Sequence, residues 1–169
     1  MPSCTILEGP AILRSQSLTT HFIALADVTN ATEIYVRHIE ISGSGQTVGK
    51  GIYFAPTETV DVNGNAWNTT TTFSIEKCKI RNTASHCIYV SSSSTNSGPV
   101  YVRDCQTHLG GAAGIALYNL TDSEIYDNHM AGLYCYHLTS SLLRGNYCGN
   151  LGSANAVNII YCQRTRISD

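Results

Sequence analysis

The chain has 169 residues, 43% of them apolar and 13% charged, and a formal net charge of −2. This length and composition allow a sizeable core, which excludes an intrinsically disordered chain. A near-neutral charge without a basic run argues against nucleic acid and anionic membranes as partners, and no apolar run is long enough to span a bilayer.

Short runs rich in β-branched and aromatic residues alternate along the chain with Gly, Asn, Ser and Thr, and signals for helices are nearly absent. In chain order the clearest runs are IYVRHIEI (34–41), GIYF (51–54), CIYV (87–90), VYVR (100–103) and VNIIY (157–161). We therefore expect an all-β protein.

Two phrases recur along the chain. The first phrase begins with an apolar residue, and we call the residue three positions later the ladder position. It is occupied by Ile39, Cys78, Cys105, Asn128 and Asn146. The second is apolar-x-apolar and begins at Ile23, Ile52, Ile88, Ile115, Leu133 and Val157. Between them lies a third inward position, at Ile41, Ile80, Thr107, Met130 and Cys148. Each repeat thus supplies three short strands, and because one repeat cannot bury its apolar face alone, the copies are expected to stack in parallel.

The ladder position is expected to lie in a sharp bend, where Asn amides bond to their equivalents in the next coil and Cys packs as a small hydrophobe. The seven cysteines are odd in number and form no CxxC, so we expect neither a zinc site nor a disulfide framework, and no cofactor. Cys78 and Cys105 share the ladder column. A bond between them is geometrically conceivable, but stacked reduced thiols are the favoured prediction.

The phrase apolar-x-x-Asn-x-apolar, followed by Gly-Ile-x-apolar, resembles the right-handed parallel β-helix of pectate-lyase-like proteins, over roughly residues 5–169. The resemblance implies a right-handed single-stranded parallel β-helix of about six coils. It would form one domain over residues 1–169, with a long loop insertion at 55–72. No amphipathic helix caps the start and the chain stops inside a strand, so we expect a fragment of a longer solenoid.

A column of carboxylates is the first candidate site. Asp104 and Asp127 both precede a ladder residue and are therefore predicted neighbours on adjacent coils, about 5 Å apart. Such a separation suits a retaining glycosidase, and Glu76 in the neighbouring column completes the candidate catalytic set. The alternative is a solvated outer face whose mixed charges pair along the columns.

A face rich in tyrosine is the second candidate site. The outward positions of the apolar-x-apolar strands hold Tyr53, Tyr89 and Tyr134, and the next outward position adds Tyr118 and Tyr136. In the polysaccharide-processing enzymes that the chain resembles, the substrate groove runs along this face, where Tyr rings can stack on sugars.

Trp67, in the long loop, is expected to overhang one edge of this face. The alternative explanation for the tyrosines is the β-propensity of this residue. The strands of the face carry no carboxylate, so the resemblance supplies no catalytic residue position by position.

The resembled family includes polysaccharide lyases, glycoside hydrolases, epimerases, phage tailspikes and adhesins, so the fold alone does not choose a function. We expect a glycan-binding protein, extracellular or virion-associated. If it is an enzyme, we expect a polysaccharide lyase or glycoside hydrolase. Since tailspike-like members are trimers, a homotrimer is a further expectation. The alternative is a non-enzymatic structural or adhesive solenoid that acts as a spacer.

Overall fold

The computed structural model describes residues 3–15, 19–24, 31–43, 48–55, 72–92, 99–149 and 157–169. Within these ranges the chain forms strands, bends and turns but no helix, and therefore no helix that could cross a membrane. The strands are β1 (Ser3–Ser15), β2 (Thr19–Ala24), β3 (Ala31–Gly43), β4 (Val48–Phe54), β5 (Thr72–Glu76), β6 (Lys79–Thr83), β7 (Ile88–Ser91), β8 (Val100–Arg103), β9 (Gln106–Gly110), β10 (Ile115–Tyr118), β11 (Glu124–Tyr126), β12 (His129–Met130), β13 (Leu133–Tyr136), β14 (Leu142–Arg144), β15 (Tyr147–Cys148), β16 (Val157–Ile160) and β17 (Arg166–Ser168).

All the strand pairs are parallel, and each strand pairs with its equivalent in the next repeat. One series runs β2–β4–β7–β10–β13–β16, a second runs β1–β3–β5–β8–β11–β14–β17, and a third runs from the C-terminal half of β3 through β6–β9–β12–β15. This confirms the expected all-β class. Long parallel ladders without helices are consistent with a parallel β-solenoid.

The predicted inward column is confirmed by the strand register. Its members pair in the order Ile23, Ile52, Ile88, Ile115, Leu133, Val157. Ile52, Ile88 and Ile115 have no exposed surface, whereas Val157 is 51% exposed on a strand that pairs, in the described ranges, only with β13. Because side chains alternate across a strand, this column and its counterparts in the other series form one continuous core.

Residues with positive φ mark the bend before each ladder position. The residues just before the ladder position all have φ values between 52° and 58°; they are His38, Lys77, Asp104, Asp127 and Gly145. A left-handed residue turns the chain sharply, which lets the next residue point into the core. Asp and His tolerate this conformation better than most residues, and Gly tolerates it best.

A second bend, present in three of the described repeats, was not predicted. It is flanked by two further left-handed residues, in the pairs Asn119 and Asp122, His137 and Ser140, and Tyr161 and Arg164, with φ between 51° and 54°. Leu120 and Leu138 lie between the members of the first two pairs and are fully buried. Each of these repeats therefore has one more inward side chain than the three-strand interpretation assigned.

Four members of the ladder column, Ile39, Cys78, Cys105 and Asn128, are buried as predicted, whereas Asn146 is half-buried. Asn128 is 1% exposed, its Oδ1 accepts a hydrogen bond from the backbone N–H of Cys105 at 2.9 Å, and its Nδ2 donates to the carbonyl of Val102 at 2.8 Å. Cys78 and Cys105 are free thiols without exposed surface, which confirms the prediction of reduced cysteines. The hydrogen bond with Cys78, followed by burial, holds the pKa of the Cys105 thiol well above its usual range.

Candidate functional site

The parallel register places the tyrosines of successive repeats side by side. Tyr53, Tyr89, Ala116 and Tyr134 form one outward column, and Tyr118 and Tyr136 are paired in the next. We call the surface formed by Tyr53, Tyr89, Tyr118, Tyr134 and Tyr136 the tyrosine face. The outward orientation of these tyrosines was predicted, because successive side chains along a strand point alternately inwards and outwards.

Tyr118 connects the rings at the centre of the tyrosine face. Its ring centroid lies 5.2 Å from that of Tyr89, 5.2 Å from that of Tyr134 and 6.2 Å from that of Tyr136. Ala116 offers only a methyl group in the outward column, so the ring of Tyr118 occupies the space between its two neighbours. Burial, together with the neighbouring Tyr134 and Tyr89, raises the pKa of Tyr118 to about 12, which keeps its hydroxyl a neutral hydrogen-bond donor.

Tyr53 corrects one expectation. It stands in the predicted column but is only 6% exposed, because the ring of His21 stacks on it at 4.0 Å and the ammonium group of Lys50 lies 4.3 Å from its ring centroid. The prediction that Tyr53 presents an exposed ring is therefore wrong. Tyr53 instead supports Tyr89, whose centroid lies 5.5 Å away.

Tyr161 extends the face in the opposite direction and was missed from the sequence. Its ring lies edge-on to Tyr136 at 5.7 Å and is also 5.2 Å from His137, which itself lies 4.1 Å from Tyr136. Tyr161 is 71% exposed. It occupies a left-handed bend rather than a strand, so strand alternation gave no signal for it.

A groove of about 350 Å³ runs beside the tyrosine face. Its lining consists of His86, Ala112, Ala113, Tyr118, Leu133, Tyr134 and Asn158, so none of the described residues that line it is a carboxylate. Burial, reinforced by the positive charge of Lys50, lowers the pKa of His86 to about 4, and Nδ1 of its neutral ring lies 2.8 Å from Oγ of Ser85. The groove therefore offers aromatic surface and uncharged hydrogen-bonding groups.

No family model matches the chain, and neither a curated protein nor a solved structure matches it. The geometry of the surface therefore carries the functional argument.

Asp104 and Asp127 occupy equivalent bends in adjacent repeats, as predicted. The backbone N–H of Asp104 donates to the carbonyl of Tyr126, and that of Asp127 donates to the carbonyl of Arg144. Both aspartates are exposed. They lie between strands of the other two series and not on the tyrosine face, so the structure brings these two acids together but separates them from the aromatic groove.

Glu76 belongs to a column in which charged side chains pair from repeat to repeat. We call this the charge column; in register order it contains Glu8, Arg37, Glu76, Arg103, Tyr126 and Arg144. Nη2 of Arg103 lies 2.7 Å from Oε1 of Glu76, and the side chain of Glu76 is 10% exposed. Oγ of Ser74 donates to the same oxygen at 2.7 Å.

Burial pushes the pKa of Glu76 upwards, but the bonds from Arg103 and Ser74 and the charges of Arg103 and Arg37 outweigh it, so the pKa lies below its ordinary value. A general acid needs the opposite shift. The charge column therefore fits the alternative to a catalytic site, namely an outer face on which opposite charges pair from repeat to repeat.

Trp67 lies outside the described residues. Among the described residues, no group of three or more His, Cys, Asp or Glu side chains is arranged to hold a metal ion.

Proposed function

We propose that the protein binds a polysaccharide along the tyrosine face. The observation that carries this proposal is the chain of ring contacts from Tyr89 through Tyr118 to Tyr134 and Tyr136, which links three consecutive repeats at centroid distances of 5.2–6.2 Å. Rings held in place by their neighbours lose little side-chain entropy when a ligand stacks on them, which favours binding. An aromatic track that continues from repeat to repeat suits an extended polymer better than a compact ligand.

The groove next to the tyrosines supports the same proposal. Sugars present hydroxyl groups around an apolar ring, and binding sites for such ligands combine aromatic surface with a few placed polar groups. The neutral imidazole of His86, the hydroxyl of Tyr118 and the amide of Asn158 meet this requirement.

Binding without cleavage is the form of the proposal that the chemistry favours. The groove has no carboxylate among its described lining residues, and Glu76 is held as a paired anion in the charge column. If the protein is an enzyme, the lyase or hydrolase chemistry would fall to Asp104 and Asp127, which lie on other strands.

Three further elements of the proposal follow the fold resemblance. They are a right-handed, single-stranded β-helix of the pectate-lyase-like kind with about six coils, an extracellular or virion-associated location, and assembly as a homotrimer.

The test is binding to a glycan array by the wild type and by the double variant Tyr89→Ala/Tyr134→Ala. We expect the double variant to lose at least about tenfold in affinity for any glycan that the wild type binds. Tyr147→Ala is the matched control, because Tyr147 is 65% exposed on β15, away from this face. Far-UV circular dichroism of each variant shows whether the fold is retained.

Asp104→Asn separates cleavage from binding. We expect it to leave glycan affinity unchanged and to abolish any release of oligosaccharide. If the double tyrosine variant binds like the wild type and no polysaccharide of a broad panel is cleaved, both activities are refuted and the structural spacer remains.

A further inference from the structure

A notch on the outer surface of the β3–β5–β8 series lies between two tyrosines. Tyr35, Ser74 and Tyr101 are paired in register on three adjacent strands and share one outward column. With an inter-strand spacing of about 4.8 Å, the two tyrosines are about 9–10 Å apart along the stack. The small side chain of Ser74 between them leaves a cavity of about 250 Å³, lined also by Thr72, Glu76, Arg103, Glu124 and Tyr126.

The tyrosine face contains the same arrangement in a filled form. There Ala116 is the small residue between Tyr89 and Tyr134, and the ring of Tyr118 occupies the gap. Between Tyr35 and Tyr101 the corresponding position is occupied by Ser74, which is 2% exposed and lies with the Glu76 carboxylate at the bottom of the cavity. The ring of Tyr118 fills the gap above Ala116. By analogy, the gap between Tyr35 and Tyr101 has the size for one six-membered ring with aromatic surface on both sides.

The floor of the notch is polar and held in one geometry. Oε1 of Glu76 accepts both Oγ of Ser74 and Nη2 of Arg103 at 2.7 Å, and Nη1 of Arg103 donates to the hydroxyl of Tyr126 at 2.9 Å. A carboxylate has about four acceptor sites, so the two contacts to Oε1 leave the Glu76 carboxylate able to accept further hydrogen bonds. A fixed carboxylate under two aromatic walls is preorganised to accept hydrogen bonds from hydroxyl groups.

We propose that this notch binds a single neutral sugar ring, sandwiched between Tyr35 and Tyr101, with hydroxyl groups donating to the carboxylate of Glu76. A puckered pyranose is thicker than a flat aromatic ring, and with contact distances of about 3.5–4.0 Å on each side it matches the separation of the two tyrosines. The residues that line the cavity include two carboxylates, Glu76 and Glu124, and one guanidinium, Arg103, so the excess negative charge disfavours a uronate or a sulfated sugar. The site is separate from the tyrosine face and does not depend on the function proposed there.

The experiment is an NMR titration of the full chain with glucose, galactose, mannose, N-acetylglucosamine and glucuronate. We expect at least one neutral sugar to give saturable amide shifts in β5 and β8 with a Kd of about 1 mM, and glucuronate to bind at least about fivefold more weakly. Tyr101→Ala should lower the affinity for the neutral sugar about tenfold, whereas Tyr101→Phe, which keeps the ring, should retain it.

Two controls separate this site from the tyrosine face and from misfolding. Tyr89→Ala/Tyr134→Ala should leave the titration unchanged even if it abolishes polysaccharide binding. Tyr101→Leu keeps apolar bulk without a flat ring and should bind as weakly as Tyr101→Ala. The proposal is refuted if no neutral sugar gives saturable shifts in β5 and β8, if glucuronate binds equally well, or if Tyr101→Leu retains full affinity.

Discussion

Asn128 and Asn146 occupy equivalent bends of adjacent repeats, and Nδ2 of Asn128 donates a hydrogen bond to Oδ1 of Asn146 at 2.9 Å. The same oxygen accepts the backbone N–H of Asn128 at 3.2 Å, and Nδ2 of Asn146 donates to the carbonyl of Ile125 at 2.7 Å. The bend breaks the strand ladder, so its backbone groups need other partners. The two amides provide these partners and join one repeat to the next.

Replacing Asn128 by leucine should therefore destabilise the fold. The change removes the acceptor for the N–H of Cys105 and the donors to Val102 and Asn146, and we expect a loss of about 1–3 kcal/mol in the free energy of unfolding. Urea denaturation followed by circular dichroism measures it. His129→Ala, at the exposed next position, is the control and should change stability by less than about 0.5 kcal/mol. An unchanged urea midpoint for the leucine variant would show that the amide ladder has no structural role.

A serine ladder in the second bend leads to a parallel prediction. Oγ of the fully buried Ser123 accepts the N–H of Val100 at 3.2 Å, and the N–H of Ser123 donates to Oγ of Ser141 at 3.2 Å. Ser123→Ala would leave the buried N–H of Val100 unsatisfied, and we expect a cost of about 1–3 kcal/mol. Ser123→Thr keeps the hydroxyl group and is the matched variant. Equal thermal midpoints for Ser123→Ala and the wild type would contradict the prediction.

The sequence predicted the amide ladder but not the serine ladder, for a physical reason. Asn128 and Asn146 interrupt apolar phrases that repeat with a clear pattern, so self-alignment of the chain finds them. Ser123 and Ser141 lie in polar links, where a serine is the usual surface residue. The left-handed bends turn these serines inwards. The only apolar residue of each link is a single leucine three positions earlier, Leu120 or Leu138, which is too little to form a periodic signal.

The candidate site was predictable to a similar extent. Alternation placed Tyr89 and Tyr134 on one outward column because this depends only on strand register. It did not predict that Tyr118 leans between them or that His21 covers Tyr53, because those contacts depend on side-chain rotamers and on residues distant in sequence. The notch at Ser74 was missed for the same reason, since a small residue in a strand indicates a space only once its neighbours in the stack are known.

Two ion pairs of equal length should differ in their effect on stability. Glu76 and Arg103 lie 2.7 Å apart, as do Glu40 and Arg81, but the side chain of Glu76 is 10% exposed and that of Glu40 is 30% exposed. In the Glu76 pair only the carboxylate is mostly desolvated, since the Arg103 side chain is 41% exposed. Glu76→Gln should cost about 1–3 kcal/mol, because it also weakens the bond from Ser74, whereas Glu40→Gln should cost less than about 1 kcal/mol. Urea denaturation at low salt compares the two variants. Equal losses would show that burial does not strengthen the pair in the charge column.

The stability of the protein should also depend on pH through His86. Burial, followed by the charge of Lys50, lowers the pKa of His86 in the folded state from 6.5 to about 4. Between these two values the unfolded chain binds a proton at His86 that the folded chain does not, so stability increases with pH in this range. The contribution is fully present above about pH 6.5 and is lost progressively as the pH falls towards 4.

Because carboxylates also titrate near the lower limit, the comparison needs His86→Gln, which keeps a neutral polar side chain but cannot be protonated. Thermal midpoints measured between pH 4.5 and 7.5 should fall more steeply for the wild type than for His86→Gln. Parallel curves would mean that the imidazole is protonated as readily in the folded protein as in the unfolded chain, and the groove beside the tyrosine face would then carry a positive charge at mildly acidic pH.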